Sequence, residues 1–127
     1  MYETFKDMPI WKRAMEIAEE IHTITEKLPR KEDYGFTSQI RRAALSIPSN
    51  IAEAYGRHHI ADKINFYYMS RGSLTETQNH LEYGKRVNCI EARRAEMIDK
   101  GLCGLYNEIN KIILSLKRKG RTVKDGV

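Results

Sequence analysis

The chain has 127 residues, 41% hydrophobic and 31% charged, with 22 basic against 17 acidic side chains and a formal net charge of +5. This length and composition fit one globular domain and exclude a disordered chain. No apolar run is long enough to cross a bilayer, and the two cysteines, Cys89 and Cys103, exclude a disulfide scaffold. We therefore expect a single soluble domain over residues 1–127, located in the cytoplasm and without a membrane segment.

Apolar residues recur at helical spacing in four blocks along the chain, and no segment alternates in the way a strand does. The links between the blocks are short, so neighbouring helices should run antiparallel. The pattern predicts an all-α fold, an up-down four-helix bundle. Its helices are expected near residues 8–28, 36–57, 61–87 and 93–119, with frayed termini at 1–7 and 121–127.

Particular residues mark the ends and irregularities of these helices. Asp7 can cap the first helix, and Pro29 should end it. Pro48 lies inside the second pattern, where it removes the backbone bond to the carbonyl of Ala44 and should kink the helix. In the third helix, Gly72 with its small neighbour predicts close packing of another helix. In the fourth, Gly120 can close the helix after its basic last turn.

The second and third blocks carry a specific motif. It runs QIRRAALSIPSNIAEA over residues 39–54 and continues as GSLTE over residues 72–76. A proline inside such a helix is unusual. The segment Phe5–Ala14, with Trp11, fits the same pattern. The chain thus resembles the family of four-helix bundle proteins encoded in intervening sequences of bacterial 23S rRNA genes, over residues 5–116.

This resemblance implies a left-handed bundle that assembles as a ring, a homopentamer. The chain is also similar to the accessory proteins of diversity-generating retroelements, which are basic pentameric bundles that work with a reverse transcriptase and nucleic acid. The resemblance therefore implies self-association and a nucleic acid, or a nucleic-acid enzyme, as partner. A shared fold gives function by analogy only.

Catalytic and metal-binding patterns are weak. A di-iron bundle needs two Glu-x-x-His spacings facing inward, whereas only Glu19–His22 has this spacing and Glu19 falls opposite the apolar stripe. Ser46, Ser49 and Ser73 have no histidine and acid at suggestive positions. We therefore expect no enzyme, no metal site and no cofactor.

Charged residues inside the helical patterns admit two interpretations. Arg71 falls on the apolar side of the third helix, where a charge needs a partner. Glu53 and Glu76 are candidate partners, and the three predict a structural ion-pair network that fixes helix register or subunit contacts. Arg41 and Arg42 either join such structural contacts or touch phosphates.

Basic residues concentrate near the end of the chain, since residues 93–127 hold nine Lys/Arg against four Asp/Glu. Such clusters attract phosphates by Coulomb attraction and counterion release, and a ring would repeat the charge in every subunit. We expect a non-enzymatic oligomer that binds RNA or DNA phosphates; the alternative is a protein–protein adaptor or ring scaffold without nucleic-acid contact. The candidate contacts are Arg41, Arg42, Arg93, Arg94, Lys117, Arg118, Lys119 and Arg121.

Overall fold

The computed structural model describes the backbone of residues 1–125 and the side chains of residues 1–121. Over that range the chain is all-helical, without a strand, and the four predicted helices are confirmed. Two short 3-10 turns, Phe5–Asp7 and Arg30–Glu32, precede the first and second helices. The helices are α1 (Pro9–Thr25), α2 (Phe36–Gly56), α3 (Ile60–Arg86) and α4 (Ala92–Asp125).

Contacts between helix ends show how the helices are arranged. The start of α2 meets the end of α3, where the rings of Phe36 and Tyr83 are 5.7 Å apart. The start of α3 lies beside the end of α4, where a Cβ atom on Gly120 would be 3.6 Å from Ile60. Arg41, near the start of α2, bonds to the last turn of α1. Successive helices therefore run in opposite directions, while the left-handedness of the bundle stays a prediction.

The bundle has two ends that differ in their chemistry. We call the end where α2 leads into α3 the α2–α3 end; α1 begins there and α4 finishes there. The opposite end, where α3 leads into α4 and α1 leads into α2, is the α3–α4 end.

The core is a column of branched aliphatic side chains supplied by all four helices. Each removes apolar area from water, a contribution of about 1.5–3 kcal/mol per fully buried side chain. Their spacing of three and four residues is what places them on one side of each helix. The largest of those buried completely are Ile21, Ile40, Ile47, Ile51, Leu74, Leu81, Leu102, Leu105 and Ile109.

Pro48 lies inside a continuous α2, as predicted, and is buried. It has no N–H to donate to the carbonyl of Ala44. The carbonyl of Ile47, the residue before Pro48, accepts a hydrogen bond of 2.9 Å from the buried hydroxyl of Ser70 on α3. This bond ties α3 to the proline segment of α2. The predicted kink at Pro48 stays a prediction.

Helix boundaries differ from the prediction at two places. α1 ends at Thr25 rather than residue 28, and the backbone that follows turns tightly, with the N–H of Glu26 donating to the carbonyl of Thr23 and the N–H of Leu28 to that of Thr25. α4 continues to Asp125, six residues beyond the predicted end. The predicted stop at Gly120 is wrong, since a glycine inside a helix costs only about 1 kcal/mol.

The predicted fraying at the termini is also corrected in part. The ring of Phe5 packs edge-on against Trp11, with centroids 5.2 Å apart, and the carbonyl of Tyr2 accepts a bond from the hydroxyl of Tyr55. The start of the chain is thus fixed by aromatic contacts. Residues 121–125 are helical, and Gly126 and Val127 lie outside the described residues.

Gly72 does not provide the predicted close helix contact within the chain. It is exposed on α3, and a Cβ atom built there would meet nothing within 4 Å. The tight glycine of α3 is instead Gly84, where a Cβ atom would lie 2.6 Å from Phe36 and 3.0 Å from Ile90. Helix periodicity alone did not distinguish which glycine faces a neighbour.

Candidate nucleic-acid interface

The predicted phosphate contacts lie at both ends of the bundle rather than on one patch. Arg94 and Lys117 are separated by 23 residues of one helix, which is about 35 Å at the α-helical rise of 1.5 Å per residue. Arg41, Arg42, Arg93 and Arg94 belong to the α3–α4 end. Lys117, Arg118, Lys119 and Arg121 belong to the α2–α3 end.

Arg41 and Arg42 are adjacent in sequence but have different surroundings. Arg41 is half-buried; its Nε donates to the Thr25 hydroxyl at 2.8 Å and its Nη2 to the carbonyl of His22 at 3.1 Å. These bonds satisfy a carbonyl of the last turn of α1, where a cation is also favoured by the helix dipole. Arg42, 100° further round α2, is exposed. Arg41 is therefore a structural residue, and Arg42 is available to a ligand.

Arg93 and Arg94 occupy the first turn of α4 and are exposed. That turn contains no acidic residue. Cations are disfavoured at a helix N-terminus, typically by a few tenths to 1 kcal/mol. Nothing within residues 1–121 pairs with either side chain, so the bundle itself gains no ion pair from them.

The basic end of α4 projects from the α2–α3 end. Lys117 lies over the ring of Tyr68, with its Nζ 5.5 Å from the ring centroid, and Arg118 also has a partner within the chain. Lys119 and Arg121 are exposed and form no ion pair among the described side chains. A shallow groove of about 360 Å³ runs beside them, walled by Ile60, Ala61 and Ile64 on α3.

Two cations at this end were missed by sequence reasoning. Arg57 pairs with Glu53 at 3.3 Å and lies 4.7 Å above the ring centroid of Phe66. Lys63 donates to the carbonyls of Ala54 and Tyr55, at 3.0 and 3.3 Å, and so caps α2. Both add positive charge beside the α4 terminus, although each already has a structural partner.

The ion-pair network predicted for Arg71, Glu53 and Glu76 is not formed within the described chain. Arg71 instead donates to Asn110 Oδ1 at 2.8 Å and stacks on Tyr68, with its Cζ 5.0 Å from the ring centroid. Glu53 pairs with Arg57, and Glu76 lies 3.6 Å from His80 Nε2. An amide and an aromatic face satisfy this guanidinium, so no buried carboxylate is required. Contacts of these residues between subunits stay a prediction.

Two other cations at the α3–α4 end, Arg86 and Lys85, are paired with acids. Glu82 accepts from Arg86 Nε at 2.7 Å and lies 3.1 Å from Lys85 Nζ, and these bonds lower the pKa of Glu82 below its ordinary value. Lys85 also lies 3.8 Å from Glu96. Of the predicted contacts at this end, Arg42, Arg93 and Arg94 are the ones whose side chains have neither an ion pair nor a hydrogen bond among the described residues.

The described helices carry neither a metal-binding cluster nor a membrane-spanning segment. Over residues 1–121, no three His, Cys, Asp or Glu side chains gather closely enough to hold a metal ion. Glu19 and His22 are both exposed. None of the described helices combines the length and apolarity that a membrane crossing needs.

Comparison with known proteins decides the family. The family model described as "23S rRNA-intervening sequence protein" matches residues 6–115. The chain belongs to this family. Membership of the 23S rRNA-intervening sequence protein family agrees with the resemblance carried by the 39–54 motif. No curated protein matches the chain.

A solved structure shares the fold of this family member. It is a protein of unknown function from the S23 ribosomal protein family of Bacteroides thetaiotaomicron VPI-5482. The two chains are 24% identical, and the match covers 82% of this chain and 97% of the other with a TM-score of 0.74. At that identity the likeness establishes the four-helix fold alone.

Proposed function

We propose that this protein is a non-enzymatic, self-associating binding protein that contacts the phosphates of RNA or DNA through the cations at its two ends. The observation that supports this role best concerns the predicted contact residues. Five of them are exposed and have neither an ion pair nor a ring contact among the described side chains: Arg42, Arg93, Arg94, Lys119 and Arg121.

The energetics of these positions favour an external anion. Arg93 and Arg94 lie at the positive end of the α4 dipole, where a phosphate would reverse an unfavourable interaction. Lys119 and Arg121 belong to a run that contains no acid between residues 117 and 121. Phosphate binding at such sites releases counterions and needs no base recognition, so affinity should fall steeply with salt. RNA is the nucleic acid that the family name favours.

Self-association is supported by apolar side chains that the isolated chain leaves in water. Leu45, Met69, Met97 and Leu114 are each about half exposed or more. Scattered exposed residues are normal, but four large ones distributed over three helices suit contacts between subunits. A homopentameric ring would repeat the +5 charge of the chain five times and strengthen its attraction for a polyanion.

The test is binding of a fluorescent single-stranded RNA across a series of salt concentrations. The double variant Lys119→Gln/Arg121→Gln should weaken binding at low salt and reduce the slope of log affinity against log salt by about 1.4, at ~0.7 per phosphate contact. The matched control is Lys100→Gln/Lys111→Gln, which removes the same charge from exposed positions in the middle of α4.

Two outcomes would contradict the proposal. Equal effects of the two double variants would show a response to net charge rather than to the α2–α3 end. No binding by the unmodified protein at low salt would leave an adaptor or ring scaffold as the function, with a nucleic-acid enzyme as its candidate partner.

A further inference from the structure

A pocket of about 510 Å³ opens at the α3–α4 end, between the start of α2 and the last turns of α3. Two aromatic rings form part of its wall. Phe36 is buried beneath Gly84 and Ile90, whereas Tyr83 is 54% exposed and lies with its ring 5.7 Å from that of Phe36. The pocket thus offers one anchored ring and one accessible ring on which a flat ligand can stack.

The polar side chains that line the pocket form no hydrogen bond with any described residue. The side-chain amides of Gln39 and Asn79 form no hydrogen bond with any described residue. The Nε2 atom of His80 is buried without a hydrogen bond, because the nearest carboxylate, that of Glu76, is 3.6 Å away. Because that atom is enclosed by protein, the polar groups that a ligand in the pocket can reach are the exposed amides of Gln39 and Asn79.

This combination of groups restricts the ligand. A purely apolar molecule would leave the two amides unpaired, and a lone phosphate would meet the carboxylate of Glu32, which also lines the pocket. A nucleobase has flat faces for stacking and a mixed donor and acceptor edge of the kind that Asn and Gln recognise. Arg42, one helical turn from Gln39 on the same face of α2, can hold the adjoining phosphate.

We infer that this pocket receives one unstacked base of a single-stranded nucleic acid, between Tyr83 and the amides of Gln39 and Asn79. The inference rests on the proposed function, since it supplies base contacts to a surface otherwise specific for phosphate. Glu32 only accepts hydrogen bonds; the exocyclic amino group of adenine has two N–H donors and uracil has only its N3–H, so adenine is preferred over uracil.

The experiment separates base from phosphate. Adenosine and uridine, which carry no phosphate, are titrated into the full chain and followed by NMR at the side-chain amides of Gln39 and Asn79. Inorganic polyphosphate, which carries no base, is titrated in parallel. Ten-residue oligo(A), oligo(U) and an abasic oligonucleotide complete the set, and light scattering reports the size of the particle.

Variants of the exposed Tyr83 test whether its ring stacks on the base. Tyr83→Ser should lower oligo(A) affinity about tenfold, within the range measured for the loss of one stacked base, while Tyr83→Phe keeps the ring and the affinity. Polyphosphate binding should be equal for all three proteins. Tyr34→Ser is the control, because Tyr34 is fully exposed at the same end and does not line the pocket.

Each pattern of results decides between the two ideas. Adenosine shifts at both amides, tighter binding of oligo(A) than oligo(U), and a selective loss in Tyr83→Ser support the base pocket. If polyphosphate binds but adenosine does not, the base pocket is wrong and the phosphate surface stands. If adenosine binds but polyphosphate does not, the base pocket stands and the phosphate surface is wrong. If adenosine fails and Tyr83→Ser changes the particle size, the pocket is instead a contact between subunits.

Discussion

The two ends of the bundle differ in how tightly they are closed. At the α3–α4 end, Phe36 and Ile90 pack onto Gly84, and the carbonyl of Gly84 accepts bonds from the backbone N–H groups of Cys89 and Ile90 at 2.8 and 3.1 Å. Asn88 turns the chain with a φ of 63°, a conformation that asparagine tolerates better than most residues. At the α2–α3 end, α4 runs on past the half-buried Ile60 beside an open groove.

This difference determines what the cations at each end can do. The α2–α3 end exposes a continuous basic run on one helix, which suits phosphate contact without positional demands. The α3–α4 end carries Arg42, Arg93 and Arg94 and also a pocket that contains aromatic and amide groups. Under the two proposals, the α3–α4 end would discriminate between ligands, whereas the α2–α3 end would attract them by charge alone.

The first prediction concerns stability at alkaline pH near the α2–α3 end, where Tyr67 is the first buried residue of α3. Burial raises the pKa of Tyr67 from 10.0 to about 12. Below pH 10 both folded and unfolded chains keep this proton, whereas above it the unfolded chain loses the proton first. The free energy of unfolding should therefore fall between pH 10 and 12, by at most about 3 kcal/mol from this group.

Urea denaturation of the unmodified chain and of Tyr67→Phe, compared from pH 8 to 12, measures this contribution. The variant lacks the titrating hydroxyl, so its loss of stability over that range should be smaller. Parallel curves for the two proteins would show that Tyr67 does not titrate in this way.

The second prediction compares one glycine at each end. Gly84→Ala introduces a methyl group 2.6 Å from Phe36, and overpacking of this kind typically costs about 1–3 kcal/mol. Gly120→Ala places its methyl group 3.6 Å from Ile60, an ordinary contact, and should be neutral or stabilise by up to about 1 kcal/mol. Thermal denaturation of both variants checks the contrast.

A melting temperature for Gly84→Ala equal to or above that of the unmodified chain would mean that the α3–α4 end accommodates the methyl group easily. In that case close packing at the glycine would not distinguish the two ends.

The third prediction is that Arg41 and Arg42, adjacent at the α3–α4 end, contribute differently to stability and to RNA binding. Arg41→Ala removes two hydrogen bonds to the last turn of α1 and should cost about 1–2 kcal/mol of stability. Arg42→Ala changes an exposed side chain and should stay within about 0.5 kcal/mol, yet weaken RNA binding. Denaturation and anisotropy on both variants measure the two effects. Equal stability losses would place Arg42 in the structure as well.

Much of the fold was accessible from periodicity and turn residues. Pro29, Pro48 and the apolar stripes placed the four helices to within a few residues, apart from the length of α4. Gly120 misled because a single glycine lowers helix stability by only about 1 kcal/mol and α4 continues through it. The site was less accessible, since the partners of Arg41 and Arg71 come from other helices.

The sequence by itself determined the helical class, the family, the concentration of positive charge near the chain end and the position of Pro48 within α2. It determined these because they depend only on the order of residues along the chain. Only the tertiary structure decided that Arg41 bonds to α1, that Gly84 rather than Gly72 is tight, and that Gln39 and Tyr83 share a pocket. Such facts depend on the distance between side chains from different helices, which local periodicity does not encode.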